Sequence, residues 1–389
     1  MAISPMSTSN AQHFESGPLM INQKIRVLIV DDSAVTRQIM SDCIGNTPDM
    51  EVVGLAEDGP TGIQLCRSVN PDVVTLDIQM PEMDGLAVLE AILAERPVPV
   101  IMVSALTKTG ATVTLEALDR GALDYLPKPE SSAEAESLLR DELVRKIRLA
   151  AGTNVRRVLE IRKERKKRQS ASRLAQNAAQ GIPASAQQLA DKCIAIGIST
   201  GGPPALSKLF ESLTPPMPPI VVVQHMPRQF TKPLAWRLNS LSRLSVAEAS
   251  TGDVLRPNHV LIAPGGRHME LKRQNNLAKV VIRDGEPVSG HKPSVDVLMC
   301  SAAEVFGPRC LGVIMTGMGR DGVQGCAAIR AAGGFVLGQD EASSDVYGMN
   351  KVAYLEGHVH QQFSLDEAAA VLVRHCRRLW CRSPAVHSS

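Results

Sequence analysis

The chain has 389 residues, 44% of them hydrophobic and 21% charged, which is enough apolar material for two domains at the usual ~150 residues each. Aromatic residues make up only 3%, and Phe14 and Tyr125 are the only ones before residue 190, so the first half is a poor base-stacking platform for single-stranded nucleic acid. The formal net charge is +2, and no apolar run approaches the ~18 residues of an ordinary membrane-spanning helix.

Residues 1–23 are rich in Ser, Met and Asn without periodicity, which predicts a disordered extension in which Met20 is an alternative start. The opening MAISPMSTSN lacks the basic start and apolar stretch of a secretory signal. From Ile25 short β-rich runs alternate with helical stretches: IRVLIV (25–30), EVVGLA (51–56), DVVTL (72–76), VPVIMV (98–103) and ALDYL (122–126), with a further helix at about 132–150. Five strand–helix units in this span predict a parallel, doubly wound sheet of the flavodoxin-like kind.

Residues 156–168 hold eight Lys/Arg against two Glu, a local +6 that leaves −4 for the rest of the chain. Such a run suits nucleic acid or anionic lipid, but no DNA-reading motif surrounds it, so a solvated linker helix is the plainer expectation. Residues 169–188 carry few large aliphatics and one charge, the composition of a linker.

The alternation restarts at Cys193. Strands are expected at 193–198, 219–224, 259–264, 278–283, 310–315 and 335–339, and helices at 203–213, 230–242, 293–306, 321–332 and 364–379. This is a second, mainly parallel α/β domain with an antiparallel excursion near 245–283. The organisation is therefore 1–23 extension, 24–150 first domain, 151–190 basic helix and linker, 191–382 second domain and 383–389 tail. The eight cysteines (43, 66, 193, 300, 310, 326, 376 and 381) form no CxxC pair and no zinc spacing, which points to a reducing cytoplasm.

In open parallel sheets ligands bind beyond the carboxyl ends of the strands. In the first domain those ends carry Asp31 and Asp32, Asp77, Ser104 and Lys128. Converging carboxylates repel unless a cation neutralises them, and one or two carboxylates with waters and phosphate oxygens are how Mg²⁺ prefers to bind. Lys128 and the Ser104 hydroxyl can then hold a phosphoryl group. The segments VDDS, LDIQMPEMDG, VSAL and DYLPKP make residues 24–150 resemble a two-component response-regulator receiver domain. That resemblance implies Asp77 as phospho-acceptor and Asp31, Asp32, Asp77 and the Gln79 backbone carbonyl as Mg²⁺ ligands. It also implies Ser104 and Lys128 as phosphate sensors and Tyr125 as the switch aromatic.

In the second domain Ser199 lies in G-I-S-T-G-G between a strand and a helix, where a turn exposes a nucleophile above the sheet beside helix N–H groups. A serine needs a base. His225 ends the strand 219–224 on the same sheet edge, while His268 and His291 lie in loops and stay open as alternatives. Asp321, just past the strand 310–315, is the candidate to orient the imidazole. The order Ser, His, Asp differs from the Ser, Asp, His order of α/β-hydrolases, which excludes that fold. Gly317, Gly319 and Gly322 also spell a dinucleotide-binding fingerprint with Asp340 ending the next strand, but Asp321 then puts a negative charge inside the pyrophosphate loop.

The segments IGISTGG, QHMP, IAPGGRHMEL, HKPSVDVL, TGMGRDG and EASSDVYGM occur in order over residues 193–350 and resemble the catalytic domain of the CheB methylesterase family. That resemblance implies Ser199 as nucleophile, His225 as base, Asp321 as its orienting acid, a Met318 backbone N–H in the oxyanion hole and Thr200 beside the nucleophile. It further implies a phosphorylation-activated serine esterase that hydrolyses glutamate methyl esters, and deamidates glutamines, on chemoreceptor cytoplasmic helices. No cofactor is expected for the esterase step. The expected partners are methylated chemoreceptors and a receptor-coupled histidine kinase, with no nucleic acid, no membrane insertion and a monomeric state. An output that binds nucleotide, or DNA through residues 156–168, is the competing expectation.

Overall fold

A computed structural model describes residues 24–105, 107–128, 133–172 and 185–380; the expected extension at 1–23 and tail at 383–389 lie outside them. The first unit alternates β1 (Ile25–Val30), α1 (Ala34–Gly45), β2 (Met50–Ala56), α2 (Gly59–Val69), β3 (Val73–Asp77), α3 (Gly85–Glu95), β4 (Val100–Ser104), α4 (Lys108–Arg120), β5 (Asp124–Pro127) and α5 (Ala133–Ala151). Its five strands pair in parallel in the order β2-β1-β3-β4-β5. β3 and β4 are buried along their whole length, which is why they read as unbroken apolar runs rather than alternating ones. Ser33, Asp58, Asp84 and Thr107 cap the first four helices, each accepting a backbone N–H of the first turn.

The basic stretch forms α6 (Val155–Ser172). It is not wholly solvated. Val155 and Val158 are buried, and Arg162 bridges the two units, as described below.

After α7 (Ala186–Leu189) the second unit runs β6 (Cys193–Ile198), α8 (Gly202–Ser212), β7 (Ile220–Gln224), α9 (Arg228–Leu241), β8 (Ser245–Glu248), β9 (His259–Ile262), β10 (His268–Gln274), β11 (Leu277–Arg283), α10 (Val295–Phe306), β12 (Cys310–Ile314), α11 (Val323–Ala331), β13 (Phe335–Gln339), α12 (Met349–Leu355), β14 (Gln361–Phe363) and α13 (Ala368–Trp380). Seven strands form one parallel sheet in the order β14-β13-β12-β6-β7-β9-β8. The antiparallel excursion is the hairpin β10–β11, turning at Asn275 and Asn276, both with positive φ as a two-residue hairpin loop requires. β6, at the centre, is buried at every residue, and helices cover both faces of the sheet. Cysteines 43, 66, 193, 300, 310, 326 and 376 are free thiols.

Candidate functional site

Two sets of strand ends carry chemistry. In the first unit, β1 and β3 are neighbours, so Asp31 and Asp77 emerge side by side and both are 1% exposed. Oxygens of Asp31, Asp32 and Asp77 all lie within 4.8 Å of one another. The Lys128 ammonium sits among them, 2.7 Å from Asp77 Oδ2, 3.2 Å from Asp31 Oδ1 and 3.8 Å from Asp32 Oδ1. Burial raises the Asp77 carboxyl to about 6 against the hydrogen bond from Lys128, with Asp31 adding repulsion. Asp31 Oδ2 is buried without a hydrogen-bond partner. Three hard oxygen donors with one orphaned lone pair fit a magnesium ion. Ser104 ends β4, buried beside this edge, and the Gln79 N–H donates to Asp77 Oδ1 at 3.2 Å.

In the second unit β12, β6 and β7 are consecutive in the sheet, and their carboxyl ends bring together Asp321, Ser199 and His225. The turn after β6 is fixed by three hydrogen bonds: Ser199 N–H to Thr316 O (3.0 Å), Gly202 N–H to Ser199 O (2.8 Å) and Gln224 Nε2 to Ser199 O (2.9 Å). A Cβ at Gly202 would lie 1.9 Å from Gln224 Oε1, so any side chain there displaces the amide that holds the Ser199 carbonyl. A Cβ on Gly317 would lie 2.6 Å from that of Ser199, so the loop after β12 passes directly against the nucleophile turn. Among the described residues the amides of Thr200 and Met318 make no backbone–backbone hydrogen bond.

The His225 imidazole bonds Asp321 through Nε2, 2.7 Å from Oδ2. A carboxylate only accepts, so Nε2 carries the proton and Nδ1 carries the lone pair. Nδ1 is buried without a partner. Ser199 is 7% exposed and lines the same cavity as His225.

Asp321 is fully buried and accepts three further bonds: from the Ser294 hydroxyl (2.7 Å), Val295 N–H (2.7 Å) and Asp296 N–H (3.0 Å). It therefore seats on the N-terminus of α10, where unpaired N–H groups favour an anion. Burial pushes its pKa up, but the bond from His225 and the donors of α10 outweigh this and hold it at about 2.

Ser294, Asp296 and His291 carry no strand-end signal, yet the structure places all three at this site. Asp296 takes the N–H groups of Gly322 and Gly325, each at 2.8 Å. These are the donors a dinucleotide pyrophosphate needs, so the glycine fingerprint is occupied by the protein's own carboxylate. His268 is fully buried, bonds Glu286 O at 2.9 Å and accepts from Ser294 N–H at 3.3 Å, a brace behind α10 rather than a base. Met318 lies on the side of its loop facing α6, with Arg157, Val158 and Asp345.

The first unit lies over this edge. Asp124 Oδ2 accepts from the Thr200 hydroxyl at 2.9 Å, Tyr125 packs at a tilt against Phe230 with ring centroids 4.5 Å apart, and Arg237 pairs with Asp119. Between the units is a cavity of about 610 Å³, walled by Ser199 and His225 on one side and by Glu142, Arg145 and Lys146 of α5 on the other.

The response regulator receiver domain model matches residues 27–140 and the CheB methylesterase model residues 194–372. The chain is 43% identical over 358 residues to a protein-glutamate methylesterase/protein-glutamine glutaminase of Syntrophotalea carbinolica, covering 90% of this chain and 97% of that protein. It is 42% identical over 357 residues to the protein of the same name from Pyrococcus abyssi, covering 91% and 94%. The chain belongs to the CheB methylesterase family. Among solved structures, the catalytic domain of Thermotoga maritima CheB methylesterase is 38% identical with a TM-score of 0.47, covering 47% of this chain and 98% of that one. In this family member a receiver unit and a methylesterase unit share one chain, and no described helix is long and apolar enough to cross a membrane.

Proposed function

We propose that the protein is a receiver-regulated serine esterase that hydrolyses γ-glutamyl methyl esters, and deamidates glutamines, on cytoplasmic helices of chemoreceptors. The observation that carries the chemistry is the His225–Asp321 pair beside the Ser199 turn, with a buried imidazole nitrogen left free to take a proton. Ser199 Oγ attacks the ester carbonyl carbon while its proton passes to His225 Nδ1. Asp321 keeps the other ring proton on Nε2 and stabilises the imidazolium that forms. The Thr200 and Met318 amides hold the oxyanion, a contribution commonly worth about 3–4 kcal/mol per donor. The imidazolium returns its proton to the departing methoxide, which leaves as methanol. Water, deprotonated by the same nitrogen, then splits the acyl-enzyme to glutamate and free Ser199. With a carboxamide, ammonia leaves in place of methanol.

Regulation rests on the receiver pocket. Asp77 accepts a phosphoryl group from a receptor-coupled histidine kinase, and Ser104 and Lys128 hold its oxygens. Asp31, Asp32, Asp77 and the Gln79 carbonyl would hold Mg²⁺, which supplies the charge neutralisation that acyl-phosphate formation needs. In this reading the unphosphorylated receiver, whose α5 residues Glu142, Arg145 and Lys146 wall the Ser199 cavity, bars entry of a receptor helix about 10–12 Å wide. Phosphorylation shifts the population toward an open form. The setting is the cytoplasm, where the receptor helices, the kinase and free thiols all belong.

The test is methanol release from methylated receptor membranes, with and without Mg²⁺ and a small acyl-phosphate donor. Release is expected to need Ser199 and to be stimulated only when residue 77 is Asp. Full release by Ser199→Ala overturns the nucleophile, and full stimulation of Asp77→Asn overturns the switch.

A further inference from the structure

His291 lies in the loop between β11 and α10 and takes no part in the proton transfers above. Its backbone is pinned by a two-way bridge with Val288, with N–H to O distances of 3.0 and 3.1 Å. Its ring lies flat against that of His225, with centroids 3.8 Å apart and planes 13° from parallel. Nδ1 donates to Ser289 O at 2.8 Å, which fixes the ring's own plane and leaves Nε2 unprotonated. The Ser289 hydroxyl donates to Asp296, whose backbone N–H is bonded to Asp321. A continuous chain of hydrogen bonds therefore ties the stacking ring to the residue that grips His225.

The geometry answers a mechanical need. Asp321 holds His225 by a single ring nitrogen, and one hydrogen bond leaves the imidazole free to swing about the Nε2···Oδ2 line. A second ring at van der Waals distance, parallel to the first, blocks that swing. Burial pushes the His291 pKa down to about 4, with repulsion from His225 adding, so His291 offers a neutral face at pH 7. A neutral π face tolerates the imidazolium that catalysis creates, whereas a second cation would oppose it.

We propose that His291 is a positioning residue, its ring holding the His225 imidazole in the plane that aims Nδ1 at Ser199. This rests on the Ser199–His225–Asp321 assignment. The test uses the full chain with acyl-phosphate donor and measures the rate of Ser199 labelling by a small fluorophosphonate, which reports nucleophile activation without receptor docking. His291→Ala is expected to slow labelling by about 10- to 100-fold, the usual effect of a loosened catalytic group, with the receptor KM within about twofold of wild type. His291→Phe, which restores a stacking face but neither nitrogen, is expected to recover labelling to within about fivefold. His291→Asn keeps a donor for Ser289 without a ring and should be as slow as His291→Ala. Wild-type labelling of His291→Ala, or a His291→Phe chain with wild-type melting temperature that labels as slowly as His291→Ala, overturns the proposal. Labelling of Ser199→Ala at the wild-type rate instead overturns the nucleophile assignment on which it rests.

Discussion

Arg162 offers the sharpest probe of how the two units are held together. Its guanidinium meets Asp345 Oδ2 through Nη2 at 2.6 Å and Nε at 3.2 Å, and Nη1 donates to Leu118 O at 2.8 Å. Leu118 belongs to α4 of the receiver, Asp345 to the methylesterase unit and Arg162 to the helix between them. The two charged side chains are 11% and 5% exposed. Asp345 also abuts the nucleophile turn, since a Cβ on Gly201 would lie 2.7 Å from it. Arg162→Met keeps the aliphatic stem and removes the charge, leaving a buried carboxylate without its cation. Breaking a buried pair in this way costs about 3–5 kcal/mol. The penalty falls on the closed arrangement alone, because water reaches Asp345 once the units part. Taking ~3 kcal/mol, the closed-to-open ratio drops by about 10²-fold.

The readout is methanol release by unphosphorylated enzyme from methylated receptor. Arg162→Met should raise this basal rate at least about tenfold and blunt the further gain from acyl phosphate. A neutral pair is often as good as a buried ionic one, so Arg162→Met with Asp345→Asn should restore most of the inhibition. An Arg162→Met enzyme with wild-type melting temperature and a basal rate within about twofold of wild type refutes this account.

Asp321→Asn replaces an acceptor of four hydrogen bonds by a group that forces His225 into the wrong tautomer, and kcat should fall by about 10⁴-fold in steady-state assays. The Asp321 pKa of about 2 lies below the ~3.9 of an unfolded Asp, so its stabilisation is complete above pH ~4 and is lost as pH falls toward 2. Melting curves of Asp321→Asn should therefore lack that part of the wild-type decline between pH ~4 and ~2. Gly202→Ala drives a methyl into Gln224, the residue that holds the Ser199 carbonyl, and should cost about 1–3 kcal/mol by urea unfolding together with a loss of kcat. Burial raises the thiols of Cys193 and Cys310, the latter to about 12, so alkylation of the native protein followed by mass spectrometry should modify the half-buried Cys300 well before either.

What the sequence made legible follows from which residues announce themselves locally. Buried parallel strands are mostly apolar runs, so β1, β3, β4, β6, β7, β12 and β13 are visible as such, and the polar residue at the end of a run marks the sheet edge. That is why Asp31, Asp77, Ser199 and His225 could be named before any coordinates. β8 and β14, at four and three residues on the two edges of the sheet, are too short and too mixed to stand out. Ser294 and Asp296 were illegible for a different reason, and His291 stood out only as one of two loop histidines left open as the base. Ser294 and Asp296 reach the site at a helix N-terminus, and their roles depend on the side chain of Asp321, about 25 residues later in the chain. Arg162 sits in a run of charges whose composition predicts solvent, and only tertiary packing brings its guanidinium to Leu118 O, Ala122 O and Asp345.

β5 is where the two chemistries meet. Asp124, its first residue, bonds Thr200 beside the nucleophile and the buried Lys146 ammonium. Tyr125, the next, is the receiver's one core aromatic; its ring packs on Phe230 of the methylesterase unit and its hydroxyl is buried without a partner. Lys128, one residue past the end of the strand, touches Asp77. Four residues of extended chain span about 13 Å, so one short segment joins the Asp77 carboxylate to the neighbour of Ser199. An orphaned hydroxyl in a buried interface is a strained arrangement that a second position of Tyr125 could relieve. In the proposed switch, a Lys128 that turns to a phosphoryl group on Asp77 takes from β5 one of the contacts that fix it, and the same strand sets Asp124 and Tyr125 against Thr200 and Phe230. The scarcity of aromatics in the first half fits that proposal: with an aliphatic core, Tyr125 is the one large ring of residues 24–150, and it lies against Phe230 of the other unit.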